Sequence, residues 1–363
     1  MPAVLEPSAP AADRPAILSV PEPFDGPLPR DCTFPEADWR VLANFWHPVA
    51  VAAQVTNQPL AVKLLDQKLV LYRTSRGVFA ANDLCLHRGV PLSMGTVEGD
   101  EIVCKYHGFR YDPTGQCVKI PAHPGAAIPP KLCLHTYEAV EKCGLVWICL
   151  SGKPANTIPE VAAWDDPTYQ QAMPEPIDLK ATAGRQLEGF LDVAHFAWLH
   201  SETFGDRDNP VVPNYSVDRT PTGLHIEYRS TVGNYLRQDG SAVETEQGVV
   251  RLFDVTFPFA GLLTIQMPDG ARIVILDCAS PVSARHTRLF APLMRNFDKE
   301  LPLQPFIDYN VKIFNEDRDV VQAQCPEDLP LDLTEEVHIR ADRTSITYRQ
   351  ELARLGLGRD YTA

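Results

Sequence analysis

The sequence has no basic excess, no long apolar run and no even set of cysteines, and each absence argues against a class of function. Lys and Arg number 33 against 47 Asp and Glu, a net charge of −14. Nucleic acid and anionic membranes bind clustered basic surface, so neither is expected as a partner. No apolar stretch approaches the roughly 20 residues of a membrane-spanning helix. Met1 to Arg14 includes Glu6 and Asp13 and has no apolar core, unlike a secretory signal. A dinucleotide-binding fingerprint is missing: Gly356-Leu357-Gly358 has neither a preceding strand nor a third glycine. The ferredoxin spacing of four cysteines is missing too. Nine cysteines, an odd number, argue against a closed disulfide framework and for a reducing, cytoplasmic setting with metal chemistry.

What is present is an ordinary globular composition, 45% hydrophobic and 22% charged, in a chain long enough for two cores. Residues 1–40 are rich in Pro and Ala and read as a flexible arm. Short β-type runs follow at Ala61–Leu65, Leu69–Arg73, Val78–Asn82, Ile102–Cys104 and Leu145–Leu150. Turn residues such as Asp66-Gln67, Arg76-Gly77 and Asp112-Pro113-Thr114-Gly115 separate them. They predict a small all-β domain over residues 41–152. Residues 153–363 open with a helical pattern at Arg185–Leu199. Longer strand patterns follow at Leu224–Ser230, Val249–Phe257, Gly261–Met267, Arg272–Ala279 and Thr287–Leu293, and helical ones at Leu303–Gln324 and Thr344–Leu355. Consecutive strands flanked by helices predict an α+β fold with an antiparallel sheet.

Two constellations carry chemistry. The first is Cys85-Leu86-His87 with Cys104-Lys105-Tyr106-His107, each loop offering one thiolate and one imidazole. A Rieske [2Fe–2S] centre takes two Cys on one iron and two His on the other, and two mixed loops can deliver that set. A tetrahedral zinc site is the competing reading, although zinc patterns commonly pair like with like. The other seven cysteines read as free thiols, mostly buried. The second constellation is Asp192-Val193-Ala194-His195 with His200 five residues on. Two histidines in an apolar helix are costly unless satisfied, by backbone in a core or by a metal. On a regular helix that spacing separates the side chains by about 140°, so binding one ion requires the helix to end or bulge between them.

The two cysteine–histidine loops, Cys85-Leu86-His87-Arg88-Gly89 and Cys104-Lys105-Tyr106-His107-Gly108, resemble the cluster loops of Rieske domains. Asp192-x-x-His195-x-x-x-x-His200 resembles the catalytic-iron motif of Rieske non-haem iron oxygenases, although that motif commonly has Asn where this chain has Gly189. The resemblance extends from about Trp39 to Leu355. It implies an N-terminal Rieske domain and a helix-grip (START-like) catalytic domain, with mononuclear Fe(II) held by His195, His200 and a distant acid. Phe314-Asn315-Glu316-Asp317 resembles the acidic segment of the family's oxidative demethylases, which points to Asp317; Glu316 and Asp319 stay open as competitors. The iron ligands leave one face for O₂ and substrate. In the family the Asp of the motif lies beside the cluster of a neighbouring subunit, in a head-to-tail homotrimer. Other stretches resemble N-demethylases of methylxanthines (Phe45-Trp46-His47-Pro48-Val49) and hydroxylases of alkaloid skeletons (Ile120-Pro121-Ala122-His123-Pro124).

The expected activity is therefore insertion of oxygen into a C–H bond of a small aromatic or heterocyclic substrate, with N- or O-demethylation as one outcome. Ring dioxygenation and a non-catalytic electron carrier are alternatives; a carrier would not need His195, His200 and Asp317. NAD(P)H would act only through a separate reductase or ferredoxin, for which Arg88, Lys105 and Arg110 are candidate steering charges. Phe196, Trp198 and Phe204 suggest an apolar pocket near the iron.

Overall fold

The computed structural model describes residues 18–230, 248–358 and 360–361. It is an α+β protein with mostly antiparallel sheets. Three small sheets build the first part. One orders His47–Val51, Leu145–Ile148 and Ala139–Lys142; a second orders Leu60–Leu64, Gln67–Thr74, Gly77–Asn82 and Thr136–Tyr137. The third, Thr96–Glu98, Glu101–Val103, Arg110–Tyr111 and Cys117–Lys119, carries one cluster loop between its second and third strands. The first hairpin of the second sheet turns at Leu65-Asp66, not Asp66-Gln67. Both turn residues are left-handed, φ 49° and 64°, the twist that a two-residue connection needs.

The second part is one nine-stranded sheet. Its main path runs Gln170–Ala172, Leu293–Arg295, Arg272–Ser283, Ala260–Gln266, Val249–Thr256, Gly223–Ser230 and Ser216–Arg219. The run expected at Thr287–Leu293 is two strands, His286–Phe290 and Leu293–Arg295, because Pro292 cannot donate to the ladder. Strand alternation sorts the faces. Val274, Leu276 and Cys278 pack with Val51, Leu145 and Trp147 of the first part. The opposite face meets helices Ala183–Leu191, Gln304–Val321 and Arg343–Arg354.

Two further expectations change. Residues 1–17 of the predicted arm lie outside the described residues, but residues 18–40 are packed. Trp39 is buried and donates to the Leu65 carbonyl, Phe24 lies on its ring, and Thr33 bonds Asp66 and the Ala284 amide. A few large or hydrogen-bonding anchors outweigh the Pro-rich average, and from Glu36 to Leu42 the chain is helical.

The second change matters for the site. The helix predicted over Arg185–Leu199 stops at Leu191, and Asp192 is extended, φ −73° and ψ 131°. A single turn, Phe196–Leu199, then separates His195 from His200. The break, with no π-bulge, removes the 140° conflict. Its start is anchored: Thr182 caps the first helix by accepting from the Arg185 amide. Glu188 makes a bidentate pair with Arg349 at 2.6 and 2.8 Å, and Glu336 bridges Arg185 and Arg349. Gly189 has a packing reason. A Cβ there would lie 3.1 Å from Val321 Cγ2, so glycine lets the helix close on Gln304–Val321, the helix that brings Asp317.

Candidate metal centres

The two cysteine–histidine loops have one design. In each, the amide of a glycine donates to the carbonyl of its cysteine, Gly89 to Cys85 and Gly108 to Cys104, both at 2.9 Å. Both glycines are left-handed, φ 71° and 68°, a conformation that a side chain would strain. The loops present Cys85 and Cys104 buried, and His87 and His107 at the surface. The two Nδ1 atoms face each other at 3.1 Å. Phe109 stacks on His87 with centroids 4.6 Å apart and planes within 4°, and Tyr111 Oη lies 3.4 Å from Cys85 Sγ.

This donor set fits a cluster better than a single zinc ion. Donors to one tetrahedral ion lie within about 4 Å of one another, given bonds of ~2.0–2.3 Å. Among the described residues, the only group of three such ligand atoms all within 4.8 Å is His195, His200 and Asp317. The loop donors are split, two nitrogens in contact and two thiols deeper, as a two-iron group with a different pair on each iron requires.

The second centre forms where the broken helix meets Gln304–Val321. His195 Nε2 and His200 Nε2 are 3.1 Å apart, and Asp317 Oδ1 lies 3.4 and 3.1 Å from them. Two donors about 2.1 Å from one ion and about 90–110° apart would sit about 3.0–3.4 Å from each other, so the triangle suits one divalent ion. The outer ring nitrogens fix the tautomers. His200 Nδ1 is 2.8 Å from Glu316 Oε2, and His195 Nδ1 is 3.3 Å from Asp192 Oδ2. A carboxylate only accepts, so each Nδ1 carries a proton, and each Nε2 is left as the atom that would give its lone pair to an ion. Burial lowers the His195 pKa, but the bonds and charges of Asp192 and Asp317 outweigh it and raise it to about 9. Burial likewise works against Asp317 ionisation, yet His195 and His200 hold its pKa below the usual value. A field that favours an imidazolium there also favours a metal cation.

The predicted residues therefore gather as two sets, and the competitors separate. Glu316 backs His200 and also accepts from Thr203 at 3.3 Å; Asp319 pairs with Arg318 in solvent. Phe196 and Phe204 line the chamber beside the triad, with Phe190, Leu263, Ile275 and Phe314 and the polar Asn310 and Arg251. Trp198 does not: it is 59% exposed on the outside of the turn, under the Arg207 guanidinium. Arg110, expected to steer a partner, is engaged by Glu98 and Glu101. Sequence reading missed Tyr111 and Thr203. Asn310 was legible in principle, since it precedes Asp317 by seven residues, two turns, on one helix face.

Two family models match the chain. A family model described as Rieske [2Fe-2S] domain matches residues 45–138, and one described as vanillate O-demethylase oxygenase C-terminal domain matches residues 179–357. A methylxanthine N1-demethylase of Pseudomonas putida is 32% identical over 332 residues, 86% of this chain and 89% of that one. The dicamba O-demethylase oxygenase component of Stenotrophomonas maltophilia is 38% identical over 132 residues, 35% of this chain and 38% of that one. The structure of the Pseudomonas putida N1-demethylase NdmA with caffeine superposes with TM-score 0.77 at 32% identity, covering 87% of this chain and 92% of that one.

Proposed function

The chain belongs to the Rieske non-haem iron oxygenases, and from that premise we propose that it oxidatively demethylates a small N- or O-methylated aromatic or heterocyclic compound. In this reading His195, His200 and Asp317 hold the catalytic iron, and Cys85, His87, Cys104 and His107 hold the [2Fe–2S] cluster. As an oxygenase component it uses O₂, with electrons from a separate reductase or ferredoxin. The observation that carries the reading is the convergence of both Nε2 atoms and Asp317 Oδ1 at the wall of an apolar chamber.

When bound, the iron supplies O₂ activation and the cluster supplies one-electron transfer. The chain's own groups prepare the place. Asp192 and Glu316 hold the two rings and their tautomers, and the single turn Phe196–Leu199 sets their separation. Phe190, Phe204, Leu263, Ile275 and Phe314 exclude water and accept a flat apolar body. Insertion of one oxygen atom of O₂ into a C–H bond of the N–CH₃ or O–CH₃ group, with two electrons and two protons, would give a hydroxymethyl group and water. That group collapses to formaldehyde and the demethylated product.

We also infer a head-to-tail homotrimer, with a Rieske domain over residues 41–152 and a catalytic domain over 153–363. Two separate exposed apolar sets support it: Leu84, Leu86, Met94 and Tyr106 around the cluster loops, and Trp198, Val337 and Ile339 beyond the Asp192–His195 turn. A heterologous interface joins such unlike patches into a ring. Asp192, 3.3 Å from His195, would then meet His107 of the next copy and link the two centres. No helix among the described residues is long and apolar enough to cross a membrane. None of the nine cysteines is paired in a disulfide, which supports a cytoplasmic setting.

The test is a panel of methylated substrates with a matched reductase. Formaldehyde should form in step with NAD(P)H oxidised. A product with every carbon retained and one new hydroxyl would select C–H hydroxylation, and two new hydroxyls dioxygenation. His195→Ala and Asp317→Ala should lose iron and activity while keeping the cluster spectrum.

A further inference from the structure

One strand of the chamber breaks its own pattern. Along Val249–Thr256 the inward row is Val249, Arg251, Phe253 and Val255, all buried, while Val250, Leu252 and Asp254 between them are half-buried or exposed. Three of the inward side chains are apolar. The fourth is a guanidinium, a permanent cation that is costly to take from water. Across the sheet Arg251 stands between Tyr228 on one neighbouring strand and Ile265 on the other. It is 2% exposed and lines the chamber together with His195, His200 and Asp317. Among the described residues it is the one charged group of that wall outside the triad. Asp317, the other charge, is turned to the two histidines.

Three rings hold the guanidinium in place. Its central carbon lies 5.3 Å from the ring centroid of Phe196, 5.8 Å from that of Phe204 and 5.7 Å from that of Tyr228. Such contacts favour the flat side of a guanidinium and suit a desolvated cation. The N–H donors lie in its plane and point outward as a fork. Two of the rings also border the triad. Phe204 is 4.7 Å from His200 and Phe196 is 4.9 Å from His195, centroid to centroid. The triad and the cation are thus one ring apart, and a one-ring substrate lying along Phe196 and Phe204 reaches from one to the other. A fork of N–H groups matches the two oxygens of a carboxylate better than it matches a single acceptor.

We propose that Arg251 is the specificity residue of the chamber and selects a methylated aromatic acid, pairing with a carboxylate carried across the ring from the methyl group. The proposal deepens the demethylation reading and rests on the chamber beside His195, His200 and Asp317 being the substrate site. The pair orients as well as binds. With the carboxylate at Arg251, the N–CH₃ or O–CH₃ group is turned to the triad. A neutral analogue of the same shape forfeits the charge-assisted pair, so the site discriminates by charge where its apolar walls cannot.

The test compares acids with their amides, which keep the shape and remove the charge: 3-methoxybenzoate, 4-methoxybenzoate and 4-(dimethylamino)benzoate against the corresponding benzamides. Calorimetric titration uses the full chain carrying its cluster but no mononuclear iron, so that no carboxylate can bind the metal. At least one acid should bind about 10-fold more tightly than its amide. In Arg251→Met the Kd of that acid should rise about 30-fold, the low end for removing one partner of a buried charge pair, and that of the amide far less. Arg251→Lys keeps the charge without the fork and should retain part of the preference. Arg251→Gln takes the place of Arg251→Met if that chain does not fold. In the iron-loaded enzyme the acid-to-amide ratio of kcat/KM should fall in the same variants, through KM. Amides bound as tightly as their acids would overturn the proposal, as would an acid preference that survives in Arg251→Met, or a panel in which no acid binds. An acid that binds through Arg251 and is then hydroxylated with every carbon kept would leave Arg251 as the anchor and remove demethylation instead.

Discussion

Glu316 and Asp317 are adjacent acids in one helix, and exchanging each for its amide tests the proposal that Asp317 is the iron ligand and Glu316 the support of His200. Glu316 Oε2 is 2.8 Å from His200 Nδ1, and the His200 side chain is 1% exposed, so solvent does little to screen the bond. In Glu316→Gln the amide oxygen can still accept from Nδ1–H, and the tautomer survives. What is lost is charge assistance. Hydrogen bonds to charged groups contribute ~1.5–3 kcal/mol against ~0.5–1.5 for neutral ones, and the midpoints differ by about 1.3 kcal/mol. At about 1.4 kcal/mol per factor of ten, iron should bind roughly 10-fold more weakly, the low end of outer-partner effects. Asp317→Asn instead removes the anionic donor 3.1 Å from His200 Nε2, and should weaken binding by well over ~100-fold on the same scale. The assay is anaerobic Fe(II) titration of iron-free protein against a competing chelator, with the cluster absorbance as internal control. Severe loss in Glu316→Gln with mild loss in Asp317→Asn would refute the assignment and make Glu316 the ligand.

Tyr111→Phe removes the hydroxyl 3.4 Å from Cys85 Sγ. A bond worth about 1 kcal/mol more to the reduced cluster corresponds to about 40 mV for one electron, so the midpoint potential should fall by that amount; an unchanged potential in voltammetry would show that the hydroxyl does not reach the sulfur. With Arg110 occupied by Glu98 and Glu101, steering of an acidic donor falls to Arg88 and Lys105. Stopped-flow reduction should slow with ionic strength, and Lys105→Glu should flatten that dependence; a salt-independent wild type contradicts it. Arg349→Met leaves Glu188 buried without its bidentate partner and should cost roughly 3–5 kcal/mol in denaturant unfolding; a loss under 1 kcal/mol would show that the pair is not holding the helix. Burial opposes Glu336 ionisation, but Arg185 and Arg349 depress its pKa below the ordinary carboxyl value. A depressed folded-state pKa gives stability that is present above the unfolded value, about 4.3, and is lost as pH falls through the folded one. Glu336→Gln should therefore flatten the acid-side fall of Tm, and an unchanged slope would refute that origin.

The cluster loops were legible in the sequence because their chemistry is local: Cys85 with His87, and Cys104 with His107, each lie within four residues, and the glycines closing the turns stand beside them. His195 and His200 were legible as a pair, but their convergence was not. Nothing in the apolar run from Phe190 to Leu199 announces that the helix ends at Leu191, and only the break resolves a spacing that a regular helix forbids. Composition misled at residues 18–40, where averaging over prolines hid the anchors Phe24, Thr33 and Trp39. The choice among Glu316, Asp317 and Asp319 could not be read from spacing at all. Successive helical residues differ by about 100° in direction, so which carboxylate meets His195 depends on the rotation of Gln304–Val321 about its axis. At the end of that helix Val321 packs against Gly189, where an added Cβ would come within 3.1 Å of Val321 Cγ2. The glycine that departs from the motif thus lies in the packing between helix Ala183–Leu191 and the helix that carries Asp317.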